Sequence, residues 1–64
     1  MTQKELLYFE DAVEHESILV SICEDMESNL QDEDLKSFIT SEKEKHSSIK
    51  DDLLSLMEGK VNEW

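Results

Sequence analysis

The sequence predicts an all-α fold, an antiparallel two-helix hairpin that dimerises into a four-helix bundle. Three observations predict it. Proline is absent and glycine occurs once, at Gly59, which is the composition of long uninterrupted helices and not of a loop-rich domain. Two long stretches carry apolar residues at helical period, about 100° per residue. A single short break, Asn29-Leu30-Gln31-Asp32, separates them.

The first helix is expected over residues 3–29. Thr2-Gln3-Lys4-Glu5 reads as a capping box, with Thr2 as N-cap and Glu5 at the third helical position. Phe9, Ala12, Val13, Leu19, Val20, Cys23 and Leu30 define its apolar face. Tyr8, Ile22 and Met26 widen that face to one side, so the helix is expected to touch more than one neighbour. Residues 30–32 form the turn. Asp32 is a good N-cap for the second helix, and Glu33 and Asp34 put negative charge where the helix dipole favours it.

The second helix is expected over residues 33–58, with a face made of Leu35, Phe38, Ile39, Ile49, Leu53, Leu56 and Met57. Gly59 reads as the residue that ends it in a left-handed conformation, and Lys60 suits a helix C-terminus. Residues 59–64 then form a tail in which Trp64 either covers the end of the bundle or is disordered. Each helix is roughly 39 Å long at 1.5 Å per residue. Equal lengths and a short connection give a hairpin. Two helices leave half of their apolar surface wet, and a second copy of the chain closes it most economically.

A chain of 64 residues makes one domain at most and often needs a metal, a disulfide or a partner to be stable. Cys23 is the only cysteine, so no disulfide forms within the chain. Seventeen acidic residues against six lysines leave a net charge of −11. That excludes nucleic acid as a partner and disfavours anionic membranes, since both select basic faces. Metal cations and basic proteins are the partners such a surface admits. No run of about 18 apolar residues could span a membrane. Met1 to Glu5 lacks a signal-peptide core, and a lone thiol suits a reducing compartment, so a cytoplasmic protein is expected.

Three polar residues interrupt the apolar faces: Glu16 on the first helix, Glu42 and His46 on the second. An unpaired buried carboxylate is costly, so such groups are usually paired or bind metal. Folding the chain about Gln31 sets opposite one another positions whose numbers sum to 62, which pairs Glu16 with His46, Val13 with Ile49, Phe9 with Leu53 and Cys23 with Ile39. Val20 then meets Glu42, one turn nearer the loop. A two-fold axis through the centre of a dimer would collect both sets, making four Glu and two His.

Asp11-Ala12-Val13 followed by Glu16, then Asp34-Leu35-Lys36-Ser37-Phe38, then Glu42-Lys43-Glu44-Lys45-His46, resembles the ferritin-like and rubrerythrin group, and within it half-bundles of the spore-coat F type. The resemblance implies that Glu16 and His46 are metal ligands. The family motif Glu-x-x-His would need Glu at position 43, which is Lys. Glu42 is the carboxylate at hand, four residues before His46, and both spacings keep the pair on one face.

Two functions fit these features. One is a carboxylate- and histidine-bound di-metal site (Glu16, Glu42, His46) at a homodimer core, with iron, manganese or zinc as the metals such donors suit. With iron, the resemblance implies oxygen, peroxide or iron-oxidation chemistry. The other is a non-catalytic homo-oligomeric or protein-interaction module, in which the polar layer fixes register and pairing and the Tyr8, Ile22 and Met26 flank binds another hairpin or a different protein. An acidic inhibitor ranks below both, because the charge is spread over both helices. His15 reads as a boundary residue, Cys23 as a small buried hydrophobe, and Glu5 and Glu27 as stripe residues near helix ends that reach water. The chain has no phosphate loop, nucleophile triad or zinc cysteine motif.

Overall fold

The computed structural model describes residues 1–61 and contains two helices, α1 (Gln3–Asn29) and α2 (Glu33–Val61), packed against each other. The start of α1 forms as the sequence implies. The Glu5 amide donates to Thr2 Oγ1 at 3.1 Å and the Thr2 amide donates to Glu5 Oε1 at 2.8 Å. These two bonds satisfy amides that a helix start otherwise leaves open. At the far end, the Leu30 amide closes on the Met26 carbonyl at 2.8 Å, and Leu30 itself is extended. Asp32 then restarts the chain. Its Oδ1 accepts from the Asp34 and Leu35 amides at 2.9 and 3.0 Å, an N-cap in the position the sequence marks.

The end of α2 departs from expectation. The helix does not stop at Glu58 but runs on through Gly59 and Lys60 to Val61. No glycine has a positive φ, so Gly59 is an ordinary helical residue and not a left-handed cap. A glycine inside a helix costs about 1 kcal/mol relative to alanine, too little by itself to end a helix. Trp64 lies outside the described residues.

The inner stripe of α1 consists of Leu6, Phe9, Val13, Glu16, Val20, Cys23, Glu27 and Leu30, in alternating steps of three and four. α2 answers with Lys36, Ile39, Lys43, His46, Lys50, Leu53 and Met57 at the same steps. This 3.5-residue repeat is the seam of a coiled coil. Helical period puts Leu35, Phe38 and Leu56 on the apolar face of α2. They are instead 55, 61 and 51% exposed, and three lysines take the inner places. A 3.6-residue wheel drifts by about 20° per heptad against a 3.5-residue seam, so over a long helix it merges the seam with the arc beside it. Lysine suits the inner edge because its aliphatic stem covers apolar surface while the amine reaches water.

The result is a thin hairpin with little interior. Its Cα envelope measures 49 × 14 × 11 Å. Among the described residues only Cys23 is buried, at 8% exposure. No helix of the described residues is long and apolar enough to cross a membrane.

Candidate functional site

Two polar clusters lie across the seam, and both were built by spacing along the helices. The first is the one the sequence points to. His46 Nδ1 lies 2.6 Å from Glu16 Oε2, thirty residues away in the chain. On the other edge of the ring, Nε2 is 4.0 Å from Oε2 of Glu42, one helical turn back along α2. Glu42 also reaches Lys45, with Oε1 3.4 Å from Nζ. The expected convergence of Glu16, Glu42 and His46 therefore occurs, in the expected register. The Glu16 and His46 side chains are only 17 and 25% exposed, so their hydrogen bond is partly sheltered from water.

Within one chain this geometry is that of a hydrogen-bonded polar layer. Two donors bound to one ion at about 2.0–2.1 Å are held roughly 3 Å or more apart, so no ion fits between Glu16 Oε2 and His46 Nδ1 as they stand. Among the described residues no group of three or more His, Cys, Asp or Glu is arranged to hold a metal ion. The Nε2 side differs. A 4.0 Å separation is too long for a hydrogen bond, and Glu16 fixes the ring so that Nε2 points away from the α1 carboxylate.

The second cluster was only half legible. Glu27 falls on the apolar stripe of α1 near its end, where water is the expected partner. Instead its carboxylate accepts from Lys43 Nζ at 2.8 Å and from the Thr40 hydroxyl. These bonds, Lys43 first, hold the Glu27 carboxyl below its ordinary range, and the same partner raises the Lys43 amine. The missing signal was Lys43 itself, the residue that stands where the resembled motif has Glu. It sits on the seam with Val20 and Glu24 beside it, lining a groove with Ser47 and Asp51.

That groove is polar. The opposite side of the hairpin carries more apolar residues, interrupted on α2 by Glu42, Lys45 and Asp52. Ala12, Leu19 and Met26 on α1 and Leu35, Ile49 and Leu56 on α2 all fall one position before the seam, at the edges that an antiparallel pair brings together. Glu5, Phe9 and Leu56 line one hollow there, which places the two edges side by side. Tyr8, Ile22 and Phe38 extend this face outward and are 61, 48 and 61% exposed. Glu42 lies near its centre and His15, exposed as expected, on its rim. Comparison with protein-family models, with curated proteins and with solved structures returned no match.

Proposed function

We propose that the protein is a non-catalytic helical interaction module that works by docking the apolar face of its hairpin against another protein surface. The observation that carries this reading is the exposure of Tyr8, Ile22, Leu35, Phe38 and Leu56 together on one side of the molecule. Exposed apolar side chains grouped on one side are what an interaction site offers; on α2, Glu42, Lys45 and Asp52 stand between them. A 64-residue chain with one buried side chain among the described residues also lacks the core that a lone domain of this size needs. In this reading Glu16, His46 and Glu27 with Lys43 set the helix register, as buried polar residues in coiled coils do. The test is a pair of surface variants, Ile22→Asp and Phe38→Asp, at side chains that are 48 and 61% exposed and lie off the seam. Loss of association on sedimentation, with helical circular dichroism retained at high protein concentration, is the expected result. Unchanged sedimentation of both variants, or a wild-type chain that stays monomeric and meets no partner in a lysate pull-down, refutes the reading.

One observation favours a second reading, a metal centre. The Glu16 hydrogen bond to Nδ1 is the outer support that metal-bound histidines commonly have, and it leaves Nε2 facing Glu42. Two copies would supply two such pairs, a donor set that suits iron, manganese or zinc. Glu16 would become a ligand, as in a di-metal site, only by releasing Nδ1. Metal analysis of protein purified without chelator, then reconstituted with each ion, decides the matter. A stoichiometric ion lost in His46→Gln supports the centre, and no retained ion under any condition removes it.

A further inference from the structure

We infer that the apolar side of the hairpin takes a basic amphipathic helix from another protein, laid along the groove between α1 and α2 with a lysine or arginine set against Glu42. The inference rests on the docking reading above and adds the partner's shape, its charge and the residue that selects it.

The shape comes from spacing. Ala12, Leu19 and Met26 recur every seven residues on α1, and Leu35, Ile49 and Leu56 do so on α2 with Glu42 in the remaining place. Recurrence at seven keeps a line of side chains on one edge of a helix that pairs at 3.5 residues per turn. Two such edges running side by side form a groove that a third helix fits, its own stripe repeating at the same interval. The hollow lined by Glu5, Phe9 and Leu56 is one end of that groove. From Ala12 to Met26 it spans about 21 Å at 1.5 Å per residue, so an occupant of about four helical turns covers it.

The charge comes from what borders the groove. Glu5, Asp11, Asp25, Asp34, Glu42 and Asp52 lie on its edges or on the arcs next to them, against Lys4 and Lys45, with His15 on the rim. A second copy of the chain would set this acidic border against another like it, whereas a basic helix meets it with opposite charge.

Glu42 makes the selection local. It takes the one place on the α2 edge where the seven-residue spacing otherwise puts an apolar side chain. Its Oε1 lies 3.4 Å from Lys45 Nζ, and its Oε2 lies 4.0 Å from His46 Nε2, beyond hydrogen-bond reach. Covering the groove takes water from this carboxylate, and a carboxylate without water needs a paired cation. The occupant supplies that cation to Oε2.

Two fluorescent synthetic helices are the probes. Both carry a leucine stripe at heptad spacing, and the remaining positions are lysine in one and glutamate in the other. Fluorescence anisotropy at low salt is expected to show the unaltered chain binding the lysine probe about tenfold or more tighter, the effect of one desolvated charge pair. Ile22→Asp and Phe38→Asp are expected to weaken that binding by a similar factor although each adds negative charge. Glu42→Gln is expected to weaken it more than Glu44→Gln, which removes the same charge from the opposite groove. Amide shifts of the unaltered chain, which need no variant to fold, are expected to move around Leu19, Glu42 and Ile49. Equal effects of Glu42→Gln and Glu44→Gln, shifts centred on Glu24 and Asp51, or equal binding of the glutamate probe each overturn the inference. If neither probe binds while Ile22→Asp and Phe38→Asp still abolish association of the chain with itself on sedimentation, the occupant is a second copy: the inference falls and the docking reading stands. If the two variants change neither probe binding nor sedimentation, both fall.

Discussion

His46 holds Glu16 at 2.6 Å across the seam, through the ring nitrogen Nδ1. The two residues belong to different helices, and the contact exists only because the turn at residues 30–32 is short enough to bring their heights together. It is the point from which the register of the hairpin is read, and it bears on both stability and assembly.

Removing either partner strands the other in a partly sheltered place. A double-mutant cycle with Glu16→Gln and His46→Gln is expected to give a coupling of about 1 kcal/mol, the net worth of a typical hydrogen bond, with up to about 3 for charged partners. Urea unfolding at one fixed protein concentration measures it, since stability of an assembled chain depends on concentration. A coupling indistinguishable from zero would show that the contact does not specify register.

The Glu27 cluster predicts a pH dependence. Its bonds to Lys43 and Thr40 depress the folded carboxyl, so its contribution is complete above the ordinary carboxylate range, near pH 4.3, and is lost as pH falls through the lower folded value. Lys43 is raised by the same contact, so its share is complete below about pH 10.4 and is lost as pH rises through the folded value. Thermal melts of the wild type and Glu27→Gln should therefore differ at neutral pH and converge at both extremes. A gap that persists unchanged below pH 3 would contradict this.

Asp32 caps α2 with two amide bonds. Asp32→Ala is expected to cost about 1 kcal/mol, within the usual 0.5–2 for an N-cap, whereas Asp32→Ser should cost less because the hydroxyl can accept the same bonds. Urea midpoints of the two variants test the order. Equal losses would mean that charge at the helix start, not the cap bond, supplies the stability.

Self-association of a chain that carries −11 brings like charges together. Added salt screens them over about 10 Å at 0.1 M, so the fraction assembled should rise from low to moderate ionic strength. Sedimentation at two salt concentrations reads this directly. Self-association that weakens with salt would contradict this, since that response belongs to oppositely charged partners.

The caps and the turn were legible in the sequence because each depends on local spacing: Thr2 three residues before Glu5, Asp32 at the head of an acidic turn. The pairing of Glu16 with His46 spans thirty residues and was legible because the place of that turn sets the hairpin register, positions summing to 62 about Gln31. The division between seam and open face was not. Phe38 and Lys36 are both plausible inner residues on a helical wheel, and only the docked partner helix decides that Lys36 turns inward and Phe38 outward. Glu27 shows the same limit, since its partners Thr40 and Lys43 lie thirteen and sixteen residues away on the other helix. Gly59 likewise reads as a stop in the sequence, yet α2 continues through it. Short-range hydrogen bonding and helical period act within a few residues and so are written in the sequence. Which of two adjacent arcs is buried is a matter of packing between elements, and that is settled only when the elements meet.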